Sequence, residues 1–405
     1  MQGIILLLFL SKMQHFLSSD VSSKLVFDYL LNNGDHSIND IVAAIGHSAP
    51  TVSKCISKLM DKGLVKAIGR IKNGKGRIPL VYGIDVETVS FLGVDTKTNM
   101  TSIGITTARG EIIKKTDYPL VYENSAHALA RLIETVNTFL NEDPDAREHI
   151  VFANFNISGR VNSEIGYSYS LFNSEDDSRP LAETLTEGIG IPCSIENDTR
   201  AMAICENALG AGRQFSTYIF INASSGIGMS LISEGRVFRG RDGYAGELGH
   251  TNMYNNNIIC QCGKKGCMET EVSGRAICRK LEERVARGDR TILASRIKSG
   301  TPLSENDIID AAAHEDPLVI DLLGKAGDEL GKVLANLINI FNPEAIIIGG
   351  FLAQTGKYLL EPMLYGVTKY SLSKLSKNVT IRYSDIQDSG ILGAGLIACS
   401  KYFNL

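Results

Sequence analysis

Proline is scarce in this chain of 405 residues, with only 10 present, whereas glycine is plentiful at 39. That balance excludes a proline-rich disordered polymer and favours a compact α/β protein with many tight turns. A long apolar run is also missing. The stretch Ile4–Leu10 is too short to cross a bilayer. It has neither a basic flank nor a small-residue cleavage site, so it does not read as a secretory leader. It reads either as a buried first turn of helix or as upstream sequence ahead of a start at Met13. With no address signal and no membrane segment, the expected location is the cytoplasm. A disulfide framework is absent too. Five of the eight cysteines (Cys55, Cys193, Cys205, Cys278 and Cys399) are scattered, as reduced core thiols are.

Charge is unevenly spread. From Ser11 to Tyr82 there are ten Lys or Arg residues, five Asp and no Glu, although the whole chain carries a net charge of −4. A basic end on an acidic body points to a local contact with a polyanion.

That basic end has a definite pattern. Apolar residues Leu25, Val26, Tyr29 and Leu30 predict a helix over about 22–32, closed by Asn33-Gly34. Ser37 with Asp40 makes a variant capping box for a second helix, with Ile38, Ile41, Val42 and Ile45 inward and Gly46 at its end. Pro50 and Thr51 open a third helix whose apolar stripe is Val52, Ile56, Leu59 and Met60. Its other face shows Thr51, Ser53, Lys54, Ser57 and Lys58. Leu64-Val65 starts a strand, Arg70–Arg77 reads as a basic hairpin tip, and the strand Pro79–Ile84 returns. Helix, turn, helix and basic hairpin make a winged helix-turn-helix, expected over residues 1–85. Ser53 and Ser57 suit bonds to base edges or phosphates, Lys54 and Lys58 suit phosphates, and Arg70, Lys72, Lys75 and Arg77 suit an adjacent backbone or minor groove. The expected partner is operator DNA.

Beyond residue 86 the pattern becomes alternating strands and helices, an α/β architecture. Paired strands are expected over 89–94 and 100–106, a third strand over 111–118, helices over 126–140 and 179–188, strands over 150–157 and 192–196, and a long helix over 317–341. The most specific signal is Gly246-Glu247-Leu248-Gly249-His250, nine residues, then Cys260-Gln261-Cys262-Gly263-Lys264-Lys265-Gly266-Cys267-Met268-Glu269. His250, Cys260, Cys262 and Cys267 offer the tetrahedral nitrogen and sulfur shell that zinc prefers. No fifth ligand accompanies them, so the site reads as closed and structural.

At these residues the chain resembles the ROK family of repressors, open reading frames and kinases. The resemblance implies an actin-like, hexokinase-type fold of two lobes for residues 86–405, one lobe covering about 86–198 with 388–405 and the other about 199–387. It also implies a sugar site of Gly159, Asn197, Asp198, Glu247, His250 and Glu269, with Asp198 the general base if the protein is a kinase. His250 would then serve zinc with one ring nitrogen and sugar with the other. Joined to a winged helix, the domain resembles the sugar-responsive repressor branch.

The nucleotide side departs from the family kinases, which open with Asp-X-Gly-Gly-Thr. Here Asp95-Thr96-Lys97-Thr98-Asn99 keeps the acid but loses both glycines. Ser224–Ser230 keeps Gly226 and Gly228, with Met229 and Ser230 where further glycines are usual. Phe351 replaces a small residue after Gly349-Gly350. ATP phosphates need close backbone approach, so ATP with magnesium is not expected as a cofactor. The reading is a sugar-responsive transcription regulator, taking a monosaccharide or sugar phosphate and acting as a homodimer or homotetramer on a symmetric operator. The alternative is an ATP-dependent sugar kinase acting on a hexose or N-acetylhexosamine.

Overall fold

A computed structural model describes residues 20–70, 79–86, 88–120, 124–172 and 179–404, with Arg70 by its backbone alone. The apolar stretch Ile4–Leu10 and the hairpin-tip residues Lys72, Lys75 and Arg77 lie outside them. The chain forms two compact units, Met1–Cys205 with Asp388–Leu405, and Glu206–Gln387.

The first unit opens with α1 (Val21–Asn33), capped by Asp20 and ended at Gly34 with φ 89°. The two-residue strand β1 (His36–Ser37) leads into α2 (Ile38–Ile45). The capping box is formed as the sequence predicts, with Ser37 accepting from Asp40 N and Asp40 accepting from Ser37 N. Gly46 closes the helix in the left-handed conformation, where a side chain would be strained. Ser48 caps α3 (Ala49–Asp61). Strands β2 (Val65–Arg70) and β3 (Leu80–Ile84) complete a three-stranded sheet of order β1-β3-β2. The inward face of α3 is Val52, Cys55, Ile56 and Leu59. Met60, expected in that stripe, is 40% exposed. The helical period places Cys55 inward and turns Met60 to the flank.

A five-stranded sheet of order β10-β7-β4-β5-β6 follows. Its strands are β4 (Ser90–Lys97), β5 (Met100–Thr107), β6 (Ile112–Tyr118), β7 (Ile150–Ile157) and β10 (Cys193–Asn197). β4, β5 and β6 form an antiparallel meander, and β7 and β10 add in parallel. The helices α4 (Ala126–Asn141), α5 (Pro144–His149) and α6 (Leu181–Ile189) and the small hairpin β8 (Val161–Asn162) with β9 (Tyr167–Ser168) belong to the same unit. Leu132, Val136 and Phe139 of α4 and Leu185 of α6 are buried against Leu92, Phe155 and Ile195 of the sheet. The chain leaves the unit along α7 (Asp198–Leu209) and returns as α15 (Ser389–Phe403).

The winged helix does not close a core by itself. Val26, Phe27, Leu30, Ile41, Val52 and Ile56 share one apolar cluster with Phe91, Val151, Ala398, Tyr402 and Phe403. The sequence suggests separate cores, because nothing in its local periodicity shows that residues near position 400 come back to the first helix. An Arg109–Asp35 ion pair joins the winged helix to the turn after β5.

The second unit is built on another five-stranded sheet, of order β13-β12-β11-β14-β15. Its strands are β11 (Tyr218–Ala223), β12 (Ile227–Ser233), β13 (Arg236–Val237), β14 (Ala345–Gly349) and β15 (Thr380–Tyr383). Between β13 and β14 lie α8 (Glu269–Val272), α9 (Gly274–Ala286), α10 (Ala294–Lys298), α11 (Glu305–Ala313) and α12 (Pro317–Phe341). After β14 come α13 (Lys357–Tyr370) and α14 (Ser373–Ser376). The long helix α12 runs over the residues the sequence predicts. Asp316 caps it by accepting from Leu318 N and Val319 N, and Asn342 ends it in the left-handed conformation. Among the described residues no helix is long and apolar enough to cross a membrane.

Candidate functional sites

The DNA-reading candidates sit on α3. Thr51, Ser53, Lys54 and Ser57 are exposed there. The Ser48 cap accepts from Thr51 N at 3.3 Å and lies 2.7 Å from the Thr51 hydroxyl, which fixes the first turn. Ser57 Oγ donates to Ser53 O at 3.1 Å, which engages its hydrogen within the helix while its oxygen can still accept. Lys58 is different: its Nζ lies 2.6 Å from Asp20 Oδ2. The ammonium donates to that carboxylate and holds Asp20 below its ordinary range. Lys58 thus ties α3 to the cap of α1, a role the sequence did not reveal.

In the first unit, three sequence-predicted positions, Gly159, Asn197 and Asp198, come together with Ser158. β10 runs parallel to β7 with Asn197 opposite Ile157. That register sets the end of β10 beside the turn Ser158-Gly159. Asn197 Nδ2 donates to Gly159 O and to Asp198 Oδ1, both at 3.0 Å. Ser158 Oγ donates to Asp198 Oδ2 at 2.7 Å. Thr199 N donates to Asp198 Oδ1 at 2.7 Å. Burial pushes the Asp198 carboxyl above its ordinary range, and these donors only partly oppose it. Beneath them Arg200 pairs with Glu196 at 2.7 Å, both almost fully buried, and donates to Val161 O. Removing either partner would strand a buried charge.

Asp95 is 6% exposed, at the end of β4. β4 and β5 stay paired through Lys97 and Met100, so Thr98-Asn99 is a two-residue turn. Lys97 is exposed, with its Nζ 3.9 Å from Asp95 Oδ2.

The second unit holds the metal candidates. His250, Cys260, Cys262 and Cys267 bring one ligand atom each to within 4.8 Å of one another. Cys260 Sγ lies 3.4 Å from His250 Nδ1, and Cys262 Sγ lies 3.5 Å from Cys267 Sγ. Tetrahedral zinc with ~2.3 Å bonds to sulfur needs ligand separations of about this size, so the donor set fits. The loop is shaped for it: Cys260 N donates to Lys264 O, and Gly263 and Gly266 take positive φ. Burial raises the Cys260 and Cys267 thiols above their ordinary range, with Glu269 and Cys262 adding respectively to the two shifts. A cation would reverse that cost.

The other predicted residues of this unit surround the cluster. His250 Nε2 faces Glu247 Oε2 at 3.7 Å, while Nδ1 faces the thiol. Glu269 is buried, with its Oε1 3.0 Å from Cys260 Sγ and 3.4 Å from the Arg275 guanidinium. Arg275 was not signalled by any motif. A Cβ at Gly226 would lie 3.3 Å from it, so it covers the turn Ser224–Gly226. Phe351 is buried in the apolar core of this unit, its ring against Gly274.

Two family models match. One is the ROK family, over residues 91–401; the other is the winged helix-turn-helix DNA-binding family, over residues 20–66. The chain belongs to the ROK family. It is 26% identical over 381 residues to the xylose repressor of Caldicellulosiruptor bescii, covering 93% of this chain and 95% of that protein. It is 28% identical to a glucokinase of Thermotoga maritima, covering 76% of this chain and 97% of the enzyme. The N-acetylglucosamine repressor of Escherichia coli is 25% identical, with 85% and 84% covered. Among solved structures, a ROK family transcriptional regulator homologous to the E. coli MLC protein superposes with TM-score 0.78 at 24% identity, covering 94% of this chain and 96% of that one. A ROK glucokinase from Streptomyces griseus, in complex with glucose and AMPPNP, gives TM-score 0.68 at 23% identity, with 76% and 99% covered. The fold is therefore that of the two-lobed ROK proteins, preceded by a winged helix. The xylose repressor matches nearly end to end, whereas the glucokinases leave about a quarter of this chain unmatched.

Proposed function

We propose that this ROK protein is a sugar-responsive transcription repressor. Its winged helix binds operator DNA through Thr51, Ser53, Lys54, Ser57 and Lys58, the last shared with Asp20, joined by Arg70, Lys72, Lys75 and Arg77. Its ROK domain binds a monosaccharide or derivative through Gly159, Asn197, Asp198, Glu247, His250 and Glu269. The observation that carries this reading is the turn after Asp95. A two-residue turn of Thr98-Asn99, closed by paired Lys97 and Met100, leaves no glycine at which a phosphate could meet the backbone. Sensing therefore outranks phosphate transfer.

Zinc is the metal this reading places at His250, Cys260, Cys262 and Cys267. It would hold the loop that carries Glu247, His250 and Glu269, as a structural site does. The protein acts in the cytoplasm as a homodimer or homotetramer, two readers gripping two half-sites. The ligand shifts that grip by its affinity difference between two states, about 1–3 kcal/mol.

The second reading, a sugar kinase, draws on Asp198. A carboxyl whose proton affinity burial has raised suits a general base. A thermal-shift panel of monosaccharides, N-acetylhexosamines and their phosphates, with and without ATP and magnesium, separates the two. One sugar should raise the melting temperature regardless of ATP. Turnover of that sugar at ~10 s⁻¹, an ordinary enzyme rate, would overturn the repressor reading.

A further inference from the structure

Asp95 keeps its place although both glycines of its motif are gone, and its surroundings show what holds it there. Its carboxylate is buried at the end of β4, where Asn156 Nδ2 donates to Oδ1 at 3.0 Å. The same Asn156 Nδ2 donates to Gly390 O at 2.8 Å, in the first turn of α15. A Cβ at Gly390 would lie 2.2 Å from Asp95 Oδ2, so the carboxylate rests against the start of the helix. That helix has no side-chain cap of its own. A carboxylate at an uncapped N-terminus stabilises it through the exposed N–H groups and the helix dipole. Asn156 is fixed in turn: its Oδ1 accepts from Asn154 Nδ2 at 3.0 Å, and Ser194 Oγ donates to Asn154 Oδ1 at 2.8 Å. Lys115 holds the residue before the helix, Asp388, at 2.6 Å.

The rest of α15 is clamped along its length. Gly393 lies on the Ala201 backbone, and Gly395 lies on Thr106. The far end enters the DNA-reading module. The Phe403 ring sits 4.8 Å from Phe27 of α1 and 6.1 Å from Phe91. Lys24 of α1 donates to Asn404 O. One helix therefore begins on a buried acid at the motif of the family's nucleotide side and ends in the core of the winged helix.

We infer that Asp95 is a positioning residue for DNA binding: it anchors α15, and α15 fixes the orientation of α1 and hence α3, while phosphate binding is no longer its task. The inference rests on the winged helix being a DNA reader, and the experiment keeps the two separable. The full chain is compared with Asp95→Asn, Phe403→Leu and the double variant. The DNA probe is a duplex enriched by the wild-type protein from a random-sequence pool, read by fluorescence anisotropy. Hydrogen exchange is followed in 389–403, 21–33 and, as an internal reference, 317–341.

Asp95→Asn should weaken DNA binding about tenfold and speed exchange in both 389–403 and 21–33, leaving 317–341 unchanged. Phe403→Leu should do the same from the other end. The double variant should lose far less than the product of the two, because both changes act through one element. Additive losses, or DNA affinity and exchange unchanged in Asp95→Asn, overturn the inference. So does wild-type binding of magnesium ATP that Asp95→Asn abolishes. Should Asp95→Asn fail to fold, Lys115→Met loosens the same helix end from the surface. It must then speed exchange in 389–403 and 21–33, and no change there refutes the anchor. If the wild-type protein enriches no duplex, the DNA-reading function fails while the exchange data still judge the coupling.

Discussion

The two sets of sugar-site candidates are held by different physics. Around Asp198 every residue stands at the end of a regular element, Ser158 after β7, Asn197 closing β10 and Asp198 opening α7. The parallel register of β7 and β10 brings them together, and hydrogen bonds of 2.7–3.0 Å complete the arrangement. Around His250 the chain has almost no ladder to lean on. Glu247 precedes and His250 ends one turn of 3₁₀ helix, and Glu269 opens a helix of four residues. Beside them three thiols and an imidazole bring one ligand atom each to within 4.8 Å of one another. A sheet edge can place a carboxylate through backbone geometry, whereas a loop needs a cross-link.

The largest expected effect tests the loop. Cys260→Ser combined with Cys267→Ser should reduce zinc from about one per chain to none and destabilise the second unit by at least ~3 kcal/mol. Metal analysis and thermal unfolding read both. Sugar-induced stabilisation should vanish with the metal; if it survives, the loop does not need its cross-link. Next comes Asp198→Ala, which should weaken sugar binding about 100-fold, the loss of charge-assisted bonds worth ~1.5–3 kcal/mol each, without moving the zinc content. Zinc loss in that variant would show that the two sets are not independent.

A smaller effect belongs to the reader. Ser48→Ala removes the cap of α3 and should cost about 1 kcal/mol in denaturant unfolding. Lys54→Ala should lower the salt dependence of DNA binding by about one unit of slope. Lys58→Ala should change that slope less, since Lys58 is engaged by Asp20; equal slopes would mean that DNA takes Lys58 from its partner.

The smallest effect carries a pH signature. Burial raises the Asp198 carboxyl in the folded protein above its unfolded value. The folded state thus binds that proton more tightly, so this group's contribution to stability is fully present below the unfolded pKa and is lost as pH rises through the folded one. Asp198→Asn should accordingly unfold a few degrees higher than the wild type at pH 7 and show no such advantage below the unfolded carboxyl range. A gain that persists in acid would assign the effect to something other than charge burial. That variant also exposes the compromise between stability and ligand affinity at a functional site.

Local signals were readable in the sequence, and distant ones were not. Ser37 with Asp40, Gly46 and the Asp316-Pro317 start mark helix ends through bonds spanning two to four residues, and those ends fall where they were expected. The thiol cluster was legible because its spacing is itself the chemistry. The strand β1 was not, since two residues show no periodicity and gain meaning only from pairing with β3. Helix α7 was missed because Asp198 reads as part of a sugar motif before it reads as a first helical turn. Nothing local announces that Asp95 meets Gly390, that Arg275 lies over Gly226, or that Lys58 answers to Asp20. Such contacts are decided by topology.

The bond between Lys24 and Asn404 spans 380 positions. At a synthesis rate of roughly 5–20 residues per second, the first helix waits about 20–80 s on the ribosome before its packing partner exists. Until then the N-terminal module lacks Tyr402 and Phe403 from its apolar cluster. A chain stopped before α15 therefore carries a winged helix whose apolar cluster is missing part of its packing.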